Sequence, residues 1–291
     1  MSLKSVLTSL FLCLAFMAQA QLKGGFKTGL NFASFSGESE MDAAGNSLEK
    51  WENVTGFHIG ATFSYHFSDN LGLRGELLYS KKGARYTYEG QGFRLFNYSG
   101  GSTYTTGNSI YRINVTNSYL DIPVMGFARV GDFEFAAGGY ASLLLSSIGE
   151  GSLTYSNGMT EQNPGFVVNE LKFILDHNYG KDSPGTGDSR ETIVANLPTQ
   201  NLELPRFLGA YYDLPEDRGN LYNSVDFGLI GGVSYYLSRA LYANVRVQYG
   251  LADLTNNDAD ASKANSNNGA PIYRNDKDVN FTIQASVGFN F

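Results

Sequence analysis

Val279-Asn280-Phe281-Thr282-Ile283-Gln284-Ala285-Ser286-Val287-Gly288-Phe289-Asn290-Phe291 alternates without interruption. Val279, Phe281, Ile283, Ala285, Val287, Phe289 and Phe291 fall on one face of an extended chain, and Asn280, Thr282, Gln284, Ser286, Gly288 and Asn290 on the other. One face suits hydrocarbon and the other a polar interior. The run outlasts an ordinary globular strand of about 5–6 residues. It meets the requirement of a tilted strand that crosses a bilayer, about 9–11 residues.

The same period of two recurs upstream and predicts eight strands. The first covers about Leu22 to Phe35, with Phe26, Leu30 and Phe32 on one face. The second carries Phe57, Ile59, Ala61, Phe63, Tyr65 and Phe67, and the third Leu71, Leu73, Leu77 and Tyr79. The fourth, about Ile110 to Ala128, changes phase. Its apolar residues are odd at Tyr111, Ile113 and Val115 but even at Leu120, Ile122 and Val124, which predicts a bulge near Asn117. Strands at Phe133–Ile148, Tyr222–Leu237 and Leu241–Leu254 precede the last.

Short turns at Ser68-Asp69-Asn70, Val130-Gly131-Asp132 and Ser238-Arg239-Ala240 alternate with long connections over about 36–53, 89–109, 150–221 and 255–278. Short on one side and long on the other is the asymmetry of an outer-membrane barrel, whose turns are periplasmic and whose loops are extracellular. The expected fold is therefore all-β: an antiparallel, eight-stranded transmembrane barrel. Within loop 150–221, Phe166, Val167, Glu170, Leu171, Ile174 and Leu175 recur at helical spacing and predict a short amphipathic helix. A second patch, Leu204-Pro205-Arg206-Phe207-Leu208 with Tyr211 and Tyr212, either orders the loop or offers a ligand or partner surface.

At the other end, Lys4, the apolar stretch Val6–Phe16 and Ala18-Gln19-Ala20 read as a secretory signal peptide over residues 1–20, leaving 21–291 as the barrel domain. The single cysteine, Cys13, lies inside that leader, so disulfides and thiolate ligands are not expected of the mature chain. Glycine (34), tyrosine (19) and phenylalanine (20) are abundant and only 17% of residues are charged, a composition suited to strands between lipid and a packed bore. The net charge of −7 gives no basic face for nucleic acid, so none is expected as a partner.

A soluble barrel would show the opposite arrangement, with its polar rows in water and dense in Lys and Glu. Here those rows are Gly, Ser, Thr, Asn and Gln with isolated Arg74, Glu76 and Arg246. Charges in a narrow bore need partners, so these three are expected to form a charged network in the lumen. Tyr65, Phe67, Phe133, Phe135, Tyr235, Phe289 and Phe291 fall near the short-turn ends, where an aromatic girdle meets the periplasmic interface.

Tyr119-Leu120-Asp121-Ile122-Pro123-Val124 resembles the Tyr-Leu-Glu-Ile-Pro-Leu signature of the PorT-like outer-membrane barrel proteins of Bacteroidetes, with Asp121 in place of the usual Glu. Asp226-Phe227-Gly228-Leu229-Ile230-Gly231-Gly232-Val233, Arg246-Val247-Gln248-Tyr249-Gly250-Leu251-Ala252-Asp253 and Gly25-Phe26-Lys27-Thr28-Gly29-Leu30-Asn31 are similar to its other strand motifs. The resemblance implies a fold and a location in the outer membrane, not a role in secretion. The terminal aromatic strand likewise resembles the signal that barrel-assembly machinery recognises, with Phe289 and Phe291 as the recognition residues.

No catalytic or metal constellation emerges. His58 and His66 share a face but sit roughly 27 Å apart along one strand, too far for one metal, and His177 lies in a loop. Asp258, Asp260 and Ser262 start like a calcium loop, yet Lys263 stands where that loop needs glycine. The expected protein is a non-catalytic monomer without cofactors, held in outer-membrane lipid, that binds an extracellular ligand or envelope protein through its loops. A small diffusion channel is the first alternative and an outer-membrane hydrolase the second.

Overall fold

A computed structural model describes residues 22–98, 101–160, 163–198 and 200–291; the leader expected over residues 1–20 lies outside them. Fourteen strands follow in order: β1 (Leu22–Ser36), β2 (Glu49–His66), β3 (Leu71–Tyr98), β4 (Gly101–Val130), β5 (Phe133–Thr160), β6 (Asn163–Val168), β7 (Leu171–Asn178), β8 (Gly187–Asn196), β9 (Asn201–Leu208), β10 (Val225–Tyr236), β11 (Leu241–Gly250), β12 (Ala261–Asn267), β13 (Ala270–Tyr273) and β14 (Val279–Asn290). β1 to β5, β10, β11 and β14 form a ring, closed by β5 on β10 and by β14 on β1. Every pairing around it is antiparallel, so no edge is left open to hydrocarbon. Gly131, at φ 60° in the tight β4–β5 turn, takes the left-handed conformation such a hairpin needs.

The barrel is apolar outside and polar inside. Phe26, Leu30, Ile59, Phe63, Leu73, Val124, Phe135, Leu229, Val245 and Val287 are exposed, whereas Lys27, Asn31, His58, Arg74, Glu76, Glu134, Arg246 and Gln284 are buried. Such a surface is stable only against lipid. Tyr65–Phe67, Phe133–Tyr235 and Phe289–Phe291 pair their rings at 5.5, 5.0 and 5.7 Å beside the short turns.

β3, β4 and β5 run for 28, 30 and 28 residues, far beyond a bilayer's need of about 10. Region 89–109 is accordingly a continuation of the β3–β4 hairpin rather than a loop, paired from Tyr88↔Tyr111 out to Asn97↔Ser102. Segment 150–221 also corrects an expectation: it holds the end of β5 and the strands β6 to β9, with no helix at 166–175. Leu171, Phe173 and Leu175 are buried while Lys172 is exposed, a period of two. The helical spacing arises because two strands, broken at Asn169-Glu170, follow one another out of step. β5 above the lipid offers unpaired backbone groups, and β7 takes them in the register Tyr155↔Leu171 to Ile148↔Asn178. Segment 255–278 carries the β12–β13 hairpin.

The phase change in β4 has a different cause from the one expected. Odd residues point inward along that whole strand: Ile113, Val115, Asn117, Tyr119, Asp121 and Met125 are all buried. What inverts is the surroundings. Within the membrane the inward row is polar and the outward row apolar; above it the inside becomes a hydrophobic core and the outside meets water. The bulge lies one strand away, in β5, where Leu145 is skipped between the pairs Ser118↔Ser146 and Tyr119↔Leu144. Inward residues of β5 are even below it (Tyr140, Ser142) and odd above it (Ser147, Leu153, Tyr155).

Candidate functional site: a plugged lumen beneath an aromatic cavity

The bore is bridged by charge at three levels. Nearest the short turns, Arg74 donates from two nitrogens to Glu134 (2.6 and 3.1 Å), which also accepts from Arg129 (3.2 Å) and Tyr236 (3.0 Å). The Arg129 guanidinium stacks on the Tyr236 ring at 3.7 Å. At mid-height Glu76 accepts from Arg246 at 2.5 Å and from Lys27 at 3.4 Å. Beside them His58 lies between Asn31 (2.8 Å) and Ser286 (2.9 Å). Higher up, Lys82 meets Asp121 at 2.9 Å, and Ser142 donates to the same carboxylate at 2.6 Å. All these side chains except Arg129 are buried.

Arg74, Glu76 and Arg246 thus all face the lumen, yet they divide between two clusters: Glu76 with Arg246, Arg74 with Glu134. Lys27, Lys82, Asp121 and Glu134 complete the set, and the sequence reading passed over them. Glu134 stands between Phe133 and Phe135, and Asp121 between Leu120 and Ile122, whereas Lys27 has only Phe26 as an apolar neighbour and Lys82 lies between Lys81 and Gly83. For Glu134 and Asp121 the available signal was a charge flanked by apolar residues on both sides; Lys82 carried no such signal.

At the seam, Phe289 faces outward opposite Phe26 and the Phe291 amide donates to the Gly24 carbonyl at 2.9 Å. Phe291→Ser, or its deletion, is expected to reduce the amount of assembled, heat-modifiable protein in outer-membrane fractions. Unchanged levels would show that this residue carries no assembly signal.

Above the membrane the extended hairpins and β7 to β9 enclose a core of their own, a dome that includes Tyr86, Ile113, Leu153, Phe173, Leu175, Leu204, Leu208 and Tyr211. The patch at 202–212 puts Leu204, Leu208 and Tyr211 inside the dome, and Leu208 and Tyr212 also line a cavity there. The cavity measures about 160 Å³. One wall is a run of touching rings: Tyr86 to Trp51 (4.6 Å), Trp51 to Phe35 (5.4 Å), Phe35 to Tyr222 (5.9 Å) and Tyr222 to Tyr179 (4.9 Å).

Charged groups line the cavity as well. Glu49 accepts from Arg274 at 3.0 and 3.1 Å, from the Tyr86 hydroxyl at 2.6 Å and from the Glu40 amide at 2.8 Å, which ties four chain segments together. Arg94 pairs with Asp213 at 2.5 Å. Asp260, Asp276 and Asp278 gather with carboxylate oxygens within 4.8 Å of one another, and Arg274 reaches Asp276. Asp260 thus joins partners far along the chain, not Asp258 and Ser262. Burial, reinforced by the Asp276 and Asp260 charges, pushes Asp278 up to about 7. Asp260 is raised too, chiefly by burial. His177, which contacts the Tyr179 hydroxyl at 3.0 Å, is pushed down to about 3 by burial and stays neutral.

Residues 17–256 match the family described as "Outer membrane protein beta-barrel domain". No curated protein matches the sequence. Similar solved structures include Ail, the attachment invasion locus protein of Yersinia pestis, crystallised with the heparin analogue sucrose octasulfate (11% identity, 93% of this chain, 99% of that chain, TM-score 0.33). Neisserial surface protein A is another (11% identity, 92% and 97% covered, TM-score 0.31). So is the outer membrane protein OprG from Pseudomonas aeruginosa (12% identity, 92% and 96% covered, TM-score 0.28).

Proposed function

The chain belongs to the outer membrane protein beta-barrel domain family, and from that premise we propose that it is a non-catalytic surface-binding protein whose dome cavity captures a small extracellular ligand. The observation that carries this reading is the contrast between the two compartments. The bore is crossed by paired charges at three levels, while the dome holds an aromatic-walled cavity of about 160 Å³. Ligand sites are characteristically concave, mostly apolar, and furnished with a few polar groups. The finer PorT-like assignment is part of the proposal, supported by the Tyr119–Val124 signature, and so are the monomeric state and insertion by barrel-assembly machinery.

A hydrolase reading draws no support from the histidines. His58 touches the Ser286 hydroxyl, but both are buried in the filled bore, away from any substrate path. His177 contacts a tyrosine and has no nucleophile beside it among the described residues.

Planar-bilayer recording separates binder from channel. The intact protein is expected to give negligible steady conductance, and so is a form lacking about residues 155–215, because eight strands leave a bore that side chains fill. Large steady conductance from the intact protein, or a jump on excision, would replace this reading with a gated channel.

A further inference from the structure

We infer that the dome cavity takes a small organic cation: an ammonium head on an apolar body about the size of one aromatic ring. This rests on the reading of that cavity as a binding site. Size sets the first limit, since a cavity of about 150 Å³ accepts benzene and this one measures about 160 Å³.

Charge sets the second. Four carboxylates line the cavity (Glu49, Asp213, Asp260 and Asp278) against the three cations Arg94, Lys263 and Arg274. Two of the carboxylates are already matched: Asp213 by Arg94, and Glu49 by Arg274. Asp260 and Asp278 have no cation within 4.0 Å among the described residues. Asp278 is 95% buried and, among the described residues, accepts a side-chain hydrogen bond from Thr255 alone, at 3.3 Å. A buried carboxylate so poorly matched stabilises any cation that reaches it.

The rings complete the fit. Tyr222, Tyr179 and Trp51 share the cavity with these two carboxylates, and aromatic faces attract ammonium groups while packing against an apolar body. Lys263 is the competing feature. Its ammonium lies 5.7 Å from the Tyr111 ring centroid and would favour an anion if it governed the site.

The test uses the full chain refolded in detergent micelles at about pH 8, where Asp278 is ionised. Phenethylamine, 2-phenylethanol and phenylacetate share a ring and differ in charge. Trp51, the single tryptophan of the chain, lines the cavity and reports binding through its emission. Phenethylamine is expected to bind at least about tenfold tighter than either analogue, and Asp278→Asn to lower its affinity about tenfold while leaving 2-phenylethanol unaffected. Asp260→Asn serves as the second variant, and heat-modifiable migration verifies that each has folded. Equal affinity for amine and alcohol would overturn the cation inference and leave the cavity as a binding site. Preference for phenylacetate would overturn it in favour of Lys263. No response to any of the three would overturn both this inference and the binding reading beneath it.

Discussion

Glu76→Ala is expected to destabilise the barrel by about 3–5 kcal/mol, the usual loss when one member of a buried ion pair is removed. Glu76 is the acceptor for Arg246 and Lys27, and all three side chains are 1–2% exposed. Removing the carboxylate strands two cations for which no other carboxylate lies within 4.0 Å among the described residues. Arg246→Ala added to Glu76→Ala should then cost less than the sum of the single losses by at least about 1 kcal/mol, because it deletes one stranded charge. Arg74→Ala combined with Glu76→Ala should come close to additive, since Arg74 is held by Glu134 through two nitrogens. Denaturant unfolding from detergent micelles measures all five variants. Strong coupling between 74 and 76, with none between 76 and 246, would mean that the two clusters are assigned wrongly.

The second large effect belongs above the membrane. Glu49→Ala removes the acceptor shared by Arg274, Tyr86 and the Glu40 amide. Arg274 keeps Asp276 and some contact with water, so the loss is expected near the lower end of the buried-pair range, at about 3 kcal/mol. It should fall on the dome alone. Limited proteolysis is expected to cut within 36–48 and 255–278 far faster than in the unaltered protein, while heat-modifiable migration of the barrel persists. Loss of heat modifiability at the same rate as proteolysis would show that dome and barrel unfold as one unit.

Where the sequence spoke clearly, one rule applied throughout: outward residues faced lipid. Leu71, Leu73, Ile122, Val124 and, in β14, Ile283, Val287 and Phe289 obeyed it, and the eight-stranded ring followed. The reading faltered where β3, β4 and β5 leave the bilayer. Hydrophobicity there changes sides while the backbone keeps its phase, so Tyr111, Ile113 and Val115 suggested a bulge in β4 that the chain places in β5 at Leu145. A single sequence reports which side is apolar, not which medium lies beyond it. The cavity was still less legible. Asp260 and Asp278 are 18 positions apart and meet Trp51 and Tyr222 only through folding. Short-range spacing carries no trace of that assembly.

The length of the β3–β4 hairpin has a consequence for whom this protein meets. From Asn117 to Gly101 the strand rises roughly 50 Å along its own direction, on the order of 40 Å in height at the usual barrel tilt. The cavity touches β4 at Ser109, Tyr111, Ile113 and Val115, in the lower half of that span. On the proposed reading, a large body approaching the dome meets the outer ends of β3 and β4 first, while a small solute can reach the cavity below them. Substitutions at those outer ends would then change the surface a large body touches and leave the cavity residues as they are.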